Sequence, residues 1–430
     1  MGRTKARAGG RRFAAAVLAM GIVVGPAALP AAADGSIRND QWHLDFMSAS
    51  EMWKTSTGQG ITVAVIDDGF KLDHPDLAGQ FLPGKDFSES PGGVGSYSDP
   101  HGTSMVGLIA GTGKANGGKG AYGLAPGVKI LPVKINNGSV GMGSLESKEF
   151  LGQIGQAIDY SVEHGAKVIS ISQGIGEGRT WPEDVAKLNR ILASARARGA
   201  LVFAAVGNEA QSGNPVEYPG ALPNVVGVGA FDRDGNITAE SETGPQVALV
   251  APGKDTVAPC TTPSGYCDGH GTSDATALAS ASAALVWSAH PDWSPNQVLR
   301  VLINTAGRAD GGTVRTDAAG WGSVRPRIAL SNPGDPGPAD VSPLPADVAA
   351  ASAAPTPAAP SSASASASAS PSSAPAAPPK VEVSSGSGGG SALPVVGGVV
   401  AGLVVVAGVV FVVVRRRRGA AVPPGGHPYV

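Results

Sequence analysis

Residues 268–291 read DGHGTSDATALASASAALVWSAHP, and no other stretch constrains the fold as strongly. Gly269 and Gly271 permit a sharp, closely approaching turn, and the small, apolar run 275–287 reads as a buried helix. Ser273 therefore sits at or just before a helix N-terminus. There it lies in the positive end of the helix dipole, beside free backbone N–H groups able to bind a developing oxyanion. That is a place for a nucleophile. The bland alternative is that Thr272 or Ser273 only caps the helix, so residues elsewhere must decide between the two.

The strand nearest in character to a catalytic partner comes early. Residues 61–66, ITVAVI, form a β-branched run typical of a strand buried on both faces of a parallel sheet, and the run ends on Asp67-Asp68-Gly69. Asp67 thus falls at a strand's carboxyl end, the edge where open α/β sheets gather their chemistry; the alternative is a turn carboxylate. HGTSMVGLIAG comes next, placing His101 at the start of an apolar helix, a rigid mount for a general base. His74 reads as part of a turn before a short helical piece. His43, His164, His270 and His290 have no comparable setting, although His270 flanks the serine motif.

Segments 128–135, 146–165, 167–172, 184–198, 201–206 and 225–229 then alternate as strand, helix, strand, helix, strand and strand, with Gly165 and Gly199 as helix stops. The alternation predicts an α/β domain, with a mostly parallel sheet covered on both faces. Val206-Gly207-Asn208 closes one strand. The Asn208 amide is placed to donate to an oxyanion, or it belongs to an ordinary asparagine turn.

The flanks read as addresses. Basic residues Arg3, Lys5, Arg7, Arg11 and Arg12 precede an apolar run at 13–24 and the small residues Ala31-Ala32-Ala33, so residues 1–33 are expected to be a signal peptide. The residues after Arg11-Arg12 match a twin-arginine signal poorly, and ordinary secretion is expected. Residues 34–60 form an arm whose Trp42, Leu44, Met47, Met52 and Trp53 are expected to pack on the domain surface. Residues 332–393 turn into Pro, Ala, Ser and Gly, a composition unable to bury enough apolar surface to offset its ordering entropy, and read as a disordered linker. Residues 394–414 are uncharged and long enough to span a bilayer as one transmembrane helix. Arg415 to Arg418 then halt transfer and keep the tail, 415–430, cytoplasmic. The expected location is the cell membrane, single-pass, with the bulk outside. Leu393-Pro394-Val395-Val396-Gly397 resembles a sortase signal but has valine where threonine is expected.

With 430 residues, 42% of them hydrophobic, the chain can hold one large core, and its net charge of -2 gives no sign of a nucleic-acid partner. Cys260 and Cys267, its two cysteines, stand close together in one loop and predict a local disulfide; a metal site would want more ligands nearby.

Taken in order, VAVIDDG, HPDL, HGTSMVGLIAG, VISISQG, FAAVGNE, VALVAPG and GHGTSDATA resemble the subtilisin-like serine proteases over about residues 60–330. The short arm, Pro-rich tether, single span and Arg tail resemble the mycosins, membrane-anchored members associated with type VII secretion. The resemblance implies a three-layer peptidase domain over residues 61–331. In it Asp67 orients His101, His101 takes a proton from Ser273, and Asn208 with the Ser273 N–H holds the oxyanion. It also implies that Ser172, Gln173 and Gly174 on one side, and Ala205, Val206 and Gly207 on the other, pair with an extended peptide as added strands.

No cofactor is implied for the chemistry, and structural calcium stays open. The implied partners are a polypeptide substrate, the membrane and a type VII secretion complex. Four positions depart from the family pattern: Asp68 replaces a small residue, Ser104 a frequent histidine and Ala277 a near-standard proline, while Asp274 stands directly after the nucleophile. Little chain lies between the expected cleavage and Ile61 for a folding propeptide. Two functions are consistent with these features: a tethered endopeptidase making limited cuts in secreted proteins, or a protease-like scaffold of a membrane complex in which catalysis is weak or dispensable.

Overall fold

The β-branched runs line up side by side. In chain order the strands are β1 (Thr62–Asp67), β2 (Lys85–Asp86), β3 (Lys129–Lys134), β4 (Val168–Ile171), β5 (Ile175–Gly176), β6 (Leu201–Ala205), β7 (Glu217–Tyr218), β8 (Val225–Phe231), β9 (Val247–Pro252), β10 (Lys254–Pro259) and β11 (Tyr266–His270). Seven form one sheet in the order β2-β3-β1-β4-β6-β8-β9. Every neighbouring pair in it is parallel. Two small antiparallel pairs, β5 with β7 and β10 with β11, stand apart from it. The helices are α1 (Trp42–Phe46), α2 (Ala49–Met52), α3 (His101–Ala110), α4 (Ala115–Gly118), α5 (Ser144–Glu163), α6 (Pro182–Ala197), α7 (Thr272–Ala289), α8 (Pro295–Asn304) and α9 (Pro326–Ser331).

This is a computed structural model, and it describes residues 1–2, 35–90, 92–136, 144–308, 311–312 and 314–344. The expected signal peptide, most of the linker, the membrane span and the cytoplasmic tail lie outside the described residues. Among the described residues no helix is long and apolar enough to cross a membrane.

Side-chain alternation along the strands divides the interior into two cores, making three layers. Val63 and Val65 of β1 join α3, α7 and α8 on one face, whereas Ala64 and Ile66 join α5 and α6 on the other. Helix α7 is central to the first face. Its side chains are buried from Thr272 through Trp287, and its many alanines and serines allow close packing beside β4, β6, β8 and β9. The predicted stops are in place: Gly165 and Gly199 come after α5 and α6 with φ of 78° and 94°.

Two expectations about the flanks change. The arm is part of the interior, with Leu44, Met47, Ala49 and Met52 buried in the α3–α7 core. Gln41, fully buried, exchanges hydrogen bonds with the Tyr122 backbone and donates to the Val257 carbonyl at 2.9 Å. At the other end, residues 335–341 fall within the stretch expected to be linker, yet they are fastened to α8. Arg300 donates to the carbonyls of Pro336, Pro338 and Val341, and Gln297 to that of Gly337. Cys260 and Cys267 are bonded to each other across the β10–β11 turn.

Candidate active site

Strands β1, β4 and β6 are neighbours, so Asp67, the segment after Ile171 and the segment after Ala205 all emerge at one carboxyl edge. Asp67 is fully buried there. Its Oδ1 accepts from His101 Nδ1 at 2.8 Å, from Gln173 Nε2 at 3.0 Å and from the Asp68 N–H at 2.9 Å. His101 opens α3, with its backbone N–H donating to Asp99 Oδ1 at 2.7 Å. Gly102 makes that approach possible: a Cβ on it would lie 2.4 Å from the Gly69 carbonyl oxygen and 3.1 Å from Asp67 Cβ.

Ser273 is the second residue of α7, where a backbone N–H has no partner within the helix. Its hydroxyl donates to the Ser172 carbonyl at 3.2 Å, not to His101. Gly271, at φ 107°, turns the chain into the helix against Asn208, whose Nδ2 would be 3.0 Å from a Cβ at Gly271. Asn208, an exposed residue, accepts at Oδ1 from the Thr272 N–H at 2.8 Å and from its hydroxyl at 3.1 Å, which leaves Nδ2 as its donor. The arrangement thus presents a carboxylate–imidazole pair, a hydroxyl on a helix N-terminus and an amide donor beside it.

Burial works against charge on Asp67, but the imidazole's charge and hydrogen bond, the Asp68 N–H and Gln173 override it and hold the acid below the ordinary carboxylate range. For His101 burial opposes the cation, and the carboxylates of Asp67, Asp68 and Asp274 prevail, raising its pKa. Asp68 is pushed up to about 8 by burial and by Asp67 and Asp99. Asp274 is buried against β10, accepts from the Thr256 hydroxyl and has its acid raised chiefly by burial.

Ser104 donates to the Pro100 carbonyl at 3.2 Å, and Ala277 lies inside an unbroken α7. His74 is structural: Nδ1 accepts from the Asp76 N–H and the ring bonds the Gly265 carbonyl. His43 is sealed in the interior, where burial lowers its pKa to about 3.

Of the expected substrate-lining residues, Ser172 and Gln173 are buried and Gly174 is half-buried after β4; Ala205 is half-buried, and Val206 and Gly207 are buried. From the sequence, Gln173 is expected to contribute its backbone only. Its side chain reaches back to Asp67, a contact that no local pattern announces.

A family model for the subtilases matches residues 58–322. The chain belongs to the subtilase family. It is a subtilisin-like serine endopeptidase. This subtilase is 34% identical to subtilisin Savinase of Lederbergia lenta over 255 residues, covering 58% of this chain and 84% of Savinase. It is 33% identical over 253 residues to an intracellular serine protease of Paenibacillus polymyxa, covering 56% and 71% of the two chains. Among solved structures the subtilase is similar to MycP1 from Mycobacterium smegmatis, with 25% identity, 70% and 87% coverage and a TM-score of 0.59. It is also similar to the MycP3 protease from the type VII (ESX-3) secretion system, with 29% identity, 68% and 88% coverage and a TM-score of 0.59.

Proposed function

We propose that this subtilase is a membrane-anchored extracellular endopeptidase that cuts secreted proteins at limited sites through Asp67, His101, Ser273 and Asn208, in association with a type VII secretion complex. The observation that supports the catalytic part is the 2.8 Å Asp67–His101 hydrogen bond at the sheet edge, with His101 on a helix that packs against the one opened by Thr272 and Ser273. With Nδ1 committed to Asp67, Nε2 is left to take a proton. When substrate arrives, the Ser273 hydroxyl rotates from the Ser172 carbonyl to Nε2, the kind of tightening that substrate binding brings about.

The Ser273 oxygen then bonds to the scissile carbonyl carbon while its proton passes to His101. Asn208 Nδ2 and the Ser273 N–H hold the oxyanion; removing one such donor typically costs about 2.7–4 kcal/mol in the barrier. His101 next gives its proton to the departing amine as the C–N bond breaks. Water, deprotonated by the same imidazole, releases the acyl group. Ser172 to Gly174 and Ala205 to Gly207 flank the peptide as added strands.

The anchor reading rests on the apolar residues 394–414 and Arg415 to Arg418, with residues 1–33 directing export. The secretion link rests on the similarity to MycP1 and MycP3. A fluorophosphonate probe tests the catalytic part: the intact chain is expected to be labelled, and Ser273→Ala not. An intact, folded chain that takes up no label would remove the catalytic reading.

A further inference from the structure

Next to the expected peptide-binding segments lie three acids that the reaction leaves unused. Glu217 of β7 packs against Gly174 so closely that a Cβ there would be 2.8 Å from its Oε2. Glu242 packs the same way against Gly207, where a Cβ would meet its carboxylate carbon at 2.4 Å and both oxygens at 2.5 Å. Gly174 and Gly207 belong to the two segments expected to flank the peptide, so Glu217 lies against one segment and Glu242 is sealed behind the other. Glu242 is fully buried. Its Oε1 accepts weakly from the Glu209 N–H at 3.4 Å, and its Oε2 has no hydrogen-bond partner. Glu209, directly after Asn208, is exposed at the rim. Arg179 is the basic group that offsets Glu217, while Glu242 has no ion pair among the described residues.

A fully buried carboxyl oxygen without a partner is costly, and a positive group placed beside it removes that cost. Burial first, and then the neighbouring acids, raise both carboxyls, Glu242 to about 8, as befits a site whose counter-charge arrives with its ligand. A lone metal ion is a poor match. Among the described residues, the set of His, Cys, Asp and Glu ligand atoms close enough to share one ion is Asp67, Asp68 and His101. The occupant must instead reach carboxylates set further apart. The peptidase reading then names it: the residue whose carbonyl meets Ser273 and Asn208 carries its side chain on the Cα bonded to that carbonyl carbon, and Gly207 directly precedes Asn208 in the chain.

We infer that the slot between residues 172–174 and 205–207 selects peptides carrying arginine or lysine at the residue that donates the scissile carbonyl, with Glu217 receiving its charge and Glu242, sealed behind Gly207, adding its field. A guanidinium or ammonium carried on a long stem suits an acid set back from the peptide backbone. The inference rests on the peptidase reading above, and two arms keep their failures apart.

In the first, the full chain in detergent is given matched peptide amides with Arg, Lys, Leu or Glu before the cleaved bond. Arg or Lys is expected to exceed Leu by at least tenfold in kcat/KM, and Glu217→Gln to lower that ratio by about tenfold, with Glu217→Asp restoring part of it. Equal or better cleavage after Leu, or a ratio unmoved by Glu217→Gln, would overturn the inference while leaving the peptidase reading intact. In the second arm, the Ser273→Ala chain is titrated with p-aminobenzamidine. Saturable binding, weakened about tenfold by adding Glu217→Gln, supports the slot even if no peptide is ever cut. Absence of binding overturns it.

Discussion

Asp68 shows how a single side chain sets the working range of its neighbours. It is buried beside Asp67 with its acid raised to about 8, and whatever negative charge it carries stabilises the imidazolium of His101. A general base must be neutral to accept a proton, so kcat/KM is expected to fall on the acid side as His101 protonates, at a pH above the ordinary imidazole value of about 6.5. Replacing Asp68 by Asn removes a charge that favours the cation, so the acid limb should move to lower pH. A pH profile of kcat/KM for both chains checks this; an unmoved limb would mean that Asp68 does not govern the base. The adjacency of Asp68 to Asp67 is plain in the sequence, but the direction of its carboxyl is not. The same holds for Gln173, Glu217 and Glu242, whose roles depend on which loops the sheet edge collects. The placement of Asp67, His101, Asn208 and Ser273 in the fold is legible because each lies at or just beyond the end of a regular element, marked by a strand end or a glycine turn into a helix.

At the scale of elements, the site depends on how closely α3 can approach the end of β1. Gly102 has no side chain because the Gly69 carbonyl oxygen would lie 2.4 Å from its Cβ. Gly102→Ala must push the start of α3 outward and carry His101 with it. Overpacking of this kind costs about 1–3 kcal/mol of stability. A shift near 1 Å in a catalytic group costs about 100-fold in rate. The expected result is a chain that still melts cooperatively but has lost about two orders of magnitude in kcat/KM. Gly152 of α5 is the control, since a Cβ there meets nothing within 4 Å; Gly152→Ala should add about 0.5–1 kcal/mol and leave the rate alone. If both variants behave alike, close approach at Gly102 is not what positions His101.

Legibility at this scale depends on β-branching and periodicity. Strands β1, β3, β4, β6 and β8 announce themselves as apolar runs between turns. The β10–β11 hairpin does not, because β10 runs from two exposed residues into four buried ones and the pairing shifts register near Lys254, which leaves no alternation along it. Helix α8 carries Ser294, Pro295 and Gln297 as a complete start signal, with the reciprocal capping bonds formed, so it is legible in the sequence although the segments read from the sequence include no element there.

For the whole molecule, the decisive boundary is where the folded domain stops. Composition alone puts it at residue 332, because Pro, Gly and Ser dominate from there. Packing puts it later: Arg300, Gln297, Asn296 and Ser294 of the α8 region all donate to carbonyls within residues 336–341, and Leu344 packs on the α3–α7 core. Composition cannot foresee this, since what holds the segment is its backbone carbonyls and the donors come from another element. A chain stopped after residue 344 should therefore keep its melting temperature and its Ser273 labelling, whereas one stopped after residue 331 leaves the α8 donors without these partners and should melt several degrees lower. The same truncation separates folding from attachment. If residues 394–418 anchor the protein, the intact chain sediments with membranes while the chain ending at 344 appears, active, in the medium. A truncated chain that folds and is labelled but still sediments would place the membrane contact on the domain itself and remove the anchor from the C-terminal segment.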